Sequence, residues 1–340
     1  MFDIISIGDP TIDTFLIMHD HDIELKDIGG KKKAVISWGD KLPVGEFYRT
    51  VAGNAANNAV GSARLGLNAA YYCVVAHDSG GREIVHKMEK ENVSTRYIVK
   101  NDKHPTNAST VLSFQGERTI FVYHEHRHYK LPNFVHASWV YLTSMGVGFE
   151  KIYPDLCRYL DHYQVKLGFN PGTFQLRAGP AANREILKRT DLLSLNVEEA
   201  QDWVGNLGRD PEALCRQLVK LGPKAVTLTD GRKGAYSFSS EGFYYIPEYP
   251  GPRLEATGAG DAFTTGYIAA LIHGQPHREA LRWGPMNAGS VVQMVGPQAG
   301  LLTKQQMQAQ LKKLKKFVAT PIVDEKSRER VRKLASAKKD

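Results

Sequence analysis

Apolar residues in this chain come in short runs set between polar or glycine-rich breaks. Asp3-Ile-Ile-Ser-Ile-Gly8, stopped by glycine and then Pro10, has the pattern of a buried strand. Ala70–Ala76 is a second β-rich run, followed by the turn-rich His77-Asp-Ser-Gly-Gly81. Arg82–Asn92 then carries Ile84, Val85 and Met88 at helical spacing. Val111–Phe114 and Arg118–Tyr123 flank Gln115-Gly-Glu117 and predict a hairpin. From Trp139 onward, strand, loop and helix alternate. Val140–Leu142 precedes a helix near Glu150–Tyr163, and Val165–Phe169 precedes one near Ala181–Lys188. Leu192–Leu195 precedes a helix beginning around Val197, and Ala225–Thr229 is the next strand.

Such alternation predicts an α/β fold: a central, mostly parallel sheet flanked by helices, with its active side where strand C-termini meet helix N-termini. Two stretches break the rhythm. Residues 14–49 mix β-prone positions with Gly29-Gly30 and Lys31-Lys-Lys33, and 105–132 hold the hairpin. They are expected to pack together as a small β-lid. The α/β domain then comprises 1–13, 50–104 and 133–311, leaving 312–340 as a basic C-terminal tail.

Composition narrows the class. With 340 residues, 42% hydrophobic and 24% charged, the chain suits a large globular domain. Its longest uninterrupted apolar run, Ala69–Ala76, is far too short to span a membrane. The opening Met1-Phe2-Asp3 lacks a basic secretory segment. Three scattered cysteines (Cys73, Cys157, Cys215) without a C-x-x-C fit a reducing cytoplasm rather than a disulfide or zinc framework. The net charge of +8 suggests an acidic partner, but Lys312–Asp340 alone carries eleven basic and four acidic residues. The other 311 residues hold 33 basic and 32 acidic groups, so nucleic acid is not an expected partner of the body. The tail reads as a solvated appendage, dispensable for the chemistry.

Four segments carry candidate chemistry. In Glu255-Ala-Thr-Gly-Ala-Gly-Asp261, glycines open an apolar helix whose free N–H groups suit an anion. A carboxylate beside an anion site makes sense as a base that takes a proton from an attacking hydroxyl. The same letters also describe a tight turn with Asp on the helix dipole. Val51–Gly66 is dense in small residues, so that backbone can approach a ligand or another backbone. Its Asn54, Asn57 and Asn58 offer both donors and acceptors, or helix caps. Asn196-Val-Glu-Glu199 is a capping-box variant that, at a strand end, could also hold hydrated Mg²⁺. In Gly8-Asp-Pro-Thr-Ile-Asp13, Asp13 could accept two sugar hydroxyls or simply face solvent.

Together, in this order, the segments resemble the ribokinase-like (PfkB-type) carbohydrate kinases, over roughly Asp3–Gly300. Ala52–Gly66 resembles the N-terminal signature and Ala256-Thr-Gly-Ala-Gly-Asp261 the C-terminal one, with Asn196-x-x-Glu199 between them. The resemblance implies a Rossmann-like fold with a β-lid, and ATP-dependent phosphorylation of a hydroxymethyl group of a sugar or sugar acid. Asp261 would be the general base, with the backbone at Gly258, Ala259 and Gly260 as the anion hole. Asp13, Gly53 and Asn57 would bind substrate. Asn196, Thr229, Gly231 and Gly234 would bind nucleotide, and Asn287 would line the adenine pocket. Glu199 and Asn196 would hold Mg²⁺ through water. A homodimer through the lid is a further expectation.

There are departures. The usual Gly-Gly pair reads Ala52-Gly53, and the usual Asp-Thr reads Glu255-Ala256, which leaves monovalent-cation dependence open. Thr143-Ser144-Met145 stands where ribokinases carry a sugar-binding Glu. Gly8–Asp13 also resembles nucleoside kinases of the same family, the alternative reading. A non-catalytic binding module using the basic tail is the alternative from another class.

Overall fold

Strand β1 (Phe2–Ile7) begins a chain that forms sixteen described strands. These continue as β2 (Thr11–Met18), β3 (Glu24–Asp27), β4 (Lys32–Val35), β5 (Val44–Ala52), β6 (Ala69–Val75), β7 (Ser94–Lys100) and β8 (Ala108–Phe114). Then come β9 (Glu117–Tyr123), β10 (Ala137–Leu142), β11 (Lys166–Phe169), β12 (Thr190–Asn196) and β13 (Ala225–Thr229). The last are β14 (Ala235–Ser239), β15 (Gly242–Ile246) and β16 (Thr320–Pro321). This computed structural model describes all residues except 20–22, 31, 102–103, 116, 206–207 and 337–340. Lys31, the hairpin residue Gly116 and the last four positions of the tail therefore lie outside the described residues.

Ten strands form one sheet in the order β16-β15-β14-β13-β12-β11-β10-β1-β6-β7. The seven from β13 to β7 are parallel, and β14, β15 and β16 add antiparallel pairs at one edge. Parallel strands are covered on both faces, which explains why β6, AAYYCVV, is apolar throughout and wholly buried. Strand order reverses around β1, whose neighbours are β6 and β10. The C-terminal strand ends near that reversal form a natural crevice.

Helix Ala259–Ile272 is buried on nearly every side, so its sequence is apolar all round rather than striped. Helix Asn54–Arg64 packs against it. A Cβ on Gly61 would come 2.7 Å from the Thr265 methyl, so the small residues here serve backbone-to-backbone approach. Thr265 is tied in further: its hydroxyl donates to Asp261 O (2.7 Å) and accepts from Asn58 Nδ2 (2.9 Å).

The small sheet has the order β5-β2-β8-β9, with β2 and β8 parallel and the other pairs antiparallel. Its boundaries differ from those expected. Its first stretch begins at Thr11 and ends at Ala52, because β2 and β5 run unbroken out of the main body, and its second, β8 and β9, covers Ala108–Tyr123. Residues 124–132 leave it again: Tyr129 is buried in the main core, with Phe134 just beyond.

Two other expectations fail. The helix near Ala181–Lys188 begins at Thr173, bends at Gly179 and Pro180, and resumes at Arg184–Leu187. Pro171-Gly172 looks like a turn in sequence. Buried Gln175 instead stitches the start, accepting from Gly172 N and donating to Thr143 O. The tail is no appendage either. Phe317, Ala319 and Ile322 are buried, β16 pairs with β15, and helix Glu325–Ser336 buries Val331. Arg328 from that helix reaches Glu212 at 3.0 Å, and the helix packs on the Gly231–Lys233 turn.

Candidate active site

Asp261 lies in the first turn of helix Ala259–Ile272 and is buried. Burial pushes its carboxyl up to about 6, against the pull of a 2.8 Å hydrogen bond from Asn57 Nδ2; the charge of Glu199 adds to the rise. A carboxyl poised near neutrality suits proton removal from an alcohol. Gly258 caps the helix at φ 77°, and a Cβ there would sit 2.5 Å from the Pro297 side chain. Glycine is thus required to bring this turn around, and the Ala259 N–H closes it onto Ala256 O at 3.2 Å.

Asn57 has both ends of its amide engaged: its carbonyl oxygen accepts from Gln298 Nε2 at 3.0 Å. One N–H of the amide is left over from these two bonds. Gly53 precedes this helix at φ 107°, and a Cβ would meet the Asp9 carbonyl at 2.6 Å. Asp13, in β2, is buried with the Thr11 and Ser109 hydroxyls beside it. Burial raises its carboxyl, those hydroxyls oppose the rise, and Glu255 reinforces it.

Asn196 and Glu199 form a reciprocal capping box. Asn196 N donates to Glu199 Oε2 (2.9 Å) and Glu199 N to Asn196 Oδ1 (2.8 Å). The box leaves out Glu199 Oε1. Burial first, then Glu198 and Asp202, push this carboxyl up, the Asn196 N–H opposing. Such a group gains from a nearby cation, so the pair fits a hydrated Mg²⁺ held through water. Among the described residues no group of three His, Cys, Asp or Glu side chains that could hold a metal occurs.

Thr229, Gly231 and Gly234 line a cleft together with Ala259 and Gly260. Its far wall comes from residues the sequence reading missed, among them Tyr249, Arg253, Phe263 and Gly289. Asn287 is a correction. It is fully buried, donates to Ala262 O (2.8 Å) and accepts from Leu302 N (3.0 Å), so it joins two segments behind the cleft instead of lining it. Its neighbours Ala288 and Gly289 face the cleft. Glu255, at the departure from the signature, turns its carboxylate onto the N–H groups of Gly296 (2.9 Å) and Thr257 (3.3 Å). Gln298 and Asp9 were also missed. Asp9 stands inside a quoted segment, whereas nothing local marks Gln298.

This arrangement is that of a phosphotransferase. Residues 30–304 match the model of the pfkB family of carbohydrate kinases, and the chain belongs to that family. It is a sugar or nucleoside kinase by membership. Ribokinase of Bacillus subtilis is 23% identical over 294 residues, spanning 83% of this chain and 97% of its own. The fold matches the structure of Arabidopsis thaliana ribokinase complexed with ribose and ATP, with TM-score 0.76 and 20% identity over 91% of this chain and 98% of the other. It also matches the nucleoside kinase of Methanocaldococcus jannaschii, with TM-score 0.70 and 18% identity over 91% and 98%. Family membership removes the non-catalytic reading. No helix among the described residues is long and apolar enough to cross a membrane.

Proposed function

We propose that the protein transfers the γ-phosphoryl group of ATP to a hydroxymethyl group of a sugar-type acceptor. The observation that carries this is Asp261: a buried carboxyl raised to about 6, hydrogen-bonded by Asn57, in the first turn of a glycine-opened helix. Asp261 would take the proton from the acceptor hydroxyl as that oxygen attacks phosphorus. The N–H groups at Gly258, Ala259 and Gly260 would meet the charge developing on the transferred group. Thr229, Gly231 and Gly234 support a nucleotide seat in the adjoining cleft. Asp13, Gly53 and Asn57 would hold the acceptor. Mg²⁺, held through water by Glu199 and Asn196, would offset phosphate charge.

The small sheet would act as a lid that excludes water. Its edge strands β5 and β9 expose Phe47, Phe121 and Val122, each more than 60%, which supports pairing with a second copy through the lid. Three buried free thiols agree with a cytoplasmic setting.

The test is ADP release from ATP and Mg²⁺ across fructose, ribose, adenosine, cytidine and inosine. Release that depends on a sugar or nucleoside acceptor and is lost in Asp261→Asn supports the reading. Wild-type turnover in that variant refutes the base. The preferred acceptor separates sugar kinase from nucleoside kinase.

A further inference from the structure

A carboxylate only accepts hydrogen bonds, so an ionised Asp261 fixes the sense of every bond behind it. Asn57 must turn Nδ2 toward Asp261 Oδ2 (2.8 Å), which turns its carbonyl oxygen the other way. That oxygen needs a donor, and Gln298 Nε2 supplies one at 3.0 Å. The bonds Gln298–Asn57–Asp261 thus run toward the base throughout. All three side chains are buried, Gln298 at 3% exposure, so water competes little for these groups. The orientation has a cost: Gln298 Oε1 is left buried without a hydrogen-bond partner. Buried acceptors are almost always satisfied, so an amide held this way round is held for the bond its nitrogen makes.

Gln298 is itself gripped at two points by one helix. Helix Asn54–Arg64 offers Asn57 to its side chain and, seven residues on, Arg64 to its backbone. Seven residues are close to two turns, so both project from the same face. Arg64 Nη1 donates to Gln298 O (2.8 Å) and Leu301 O (3.2 Å). Its Nε and Nη2 are taken by the Glu91 carboxylate at 2.8 and 2.7 Å, which fixes the guanidinium. The two residues before Gln298 also meet the site. Pro297 packs where a Cβ on Gly258 would stand, and Gly296 N donates to Glu255 (2.9 Å). The strap 296–298 therefore backs the base, its helix cap and Glu255 together.

We propose that Gln298 is a positioning residue for the general base: by donating to Asn57 Oδ1 it holds that amide with its N–H on Asp261, and it acts through Asn57. The inference rests on the kinase reading above. Loss of the Gln298 donor leaves the Asn57 carbonyl buried and unpaired. The amide then gains by turning that oxygen onto a protonated Asp261, which favours the acid form. The other titratable groups that share charge interactions with Asp261 are Glu199, after β12, which raises its carboxyl, and the Tyr141 hydroxyl of β10. Neither belongs to the chain of bonds above.

The test is Gln298→Leu, made in the wild-type protein and again in Asn57→Leu. Two midpoints are read in each. One is the acid limb of kcat with ATP, Mg²⁺ and whichever of ribose, fructose, adenosine, cytidine or inosine supports ADP release. The other is the ¹³C titration of the Asp261 carboxyl in the protein alone. In the wild-type background we expect both to rise from near 6 by about half to one pH unit, with the KM for ATP unmoved. In the Asn57→Leu background the same replacement should move neither. Unmoved midpoints in the wild-type background overturn the proposal. So does an equal shift in both backgrounds, which would mean that Gln298 reaches Asp261 by another route. A rate lowered equally at every pH marks a merely structural role and overturns it too. Should Gln298→Leu fail to fold, Gln298→Met, unbranched and of similar length, takes its place. If the kinase reading fails, ADP release is absent with every acceptor, while the carboxyl titration still decides on Gln298.

Discussion

Replacing Asn57 with leucine tests the electrostatics of the site directly. The substitution keeps most of the side-chain volume but removes the 2.8 Å donor to Asp261 Oδ2. That bond stabilises the ionised carboxylate and is the one contribution opposing burial and Glu199. A hydrogen bond to a charged group contributes about 1.5–3 kcal/mol, and one pKa unit is about 1.4 kcal/mol. Its loss should therefore move the Asp261 carboxyl from about 6 to roughly 7–8. The base works ionised, so the acid limb of kcat measured at saturating acceptor should shift upward by about 1–2 pH units. At pH 7 the ionised fraction falls from about nine-tenths to between a half and a tenth, and the lost rate returns by about pH 9. The assay is a pH–rate profile from pH 5 to 9.5, with melting temperature followed alongside. A rate depressed equally at every pH, with the limb still near 6, would refute the base assignment and leave Asn57 a packing or acceptor contact.

Other outcomes follow from the same geometry. Asp261→Asn should lower kcat by about 10²–10⁴-fold. It should also stabilise the fold at pH 8. A carboxyl raised from 3.8 to about 6 loses stability as pH climbs through that interval, and removing it recovers about 3 kcal/mol, read as a melting temperature some 4 °C higher. Below pH 4 wild type and variant should melt together. Gly258→Ala forces a Cβ into the space of Pro297 at a positive φ. Displacing the N–H groups of that turn should cost about 10²-fold in kcat with little change in acceptor KM. Ending the chain at Val323 removes the helix that buries Val331 and packs on the Gly231–Lys233 turn. The KM for ATP should rise several-fold and the melting temperature fall; unchanged values would mean that the turn needs no such support.

The parallel half of the fold was legible because its strands are short, largely buried runs such as β6 and β12, separated by helix starters. Asp261 and its glycines were legible because a charged residue beside glycines at the mouth of an apolar helix has few purposes. What escaped the sequence was tertiary. The cleft wall is made of unremarkable types such as Tyr249 and Gly289, which acquire a role only through where the sheet sets them. Asn287 has the donors and acceptors of a ligand contact, yet Ala262 and Leu302 take them both. The tail misled because charge is easy to count. Its four buried apolar positions, Phe317, Ala319, Ile322 and Val331, are spaced by a strand and a helix that no single period connects.

Asp261 and its partner Asn57 are 204 residues apart in the chain. At a synthesis rate of roughly 5–20 residues per second, about 10–40 s separate the appearance of one from that of the other. The strand that closes the sheet edge, β16, and the helix behind the Gly231–Lys233 turn come later still. Strands β1, β6 and β7 and the early helices are thus made before Asp261 and its glycines. Asp261 and the glycines beside it therefore join a sheet whose first strands were made long before them.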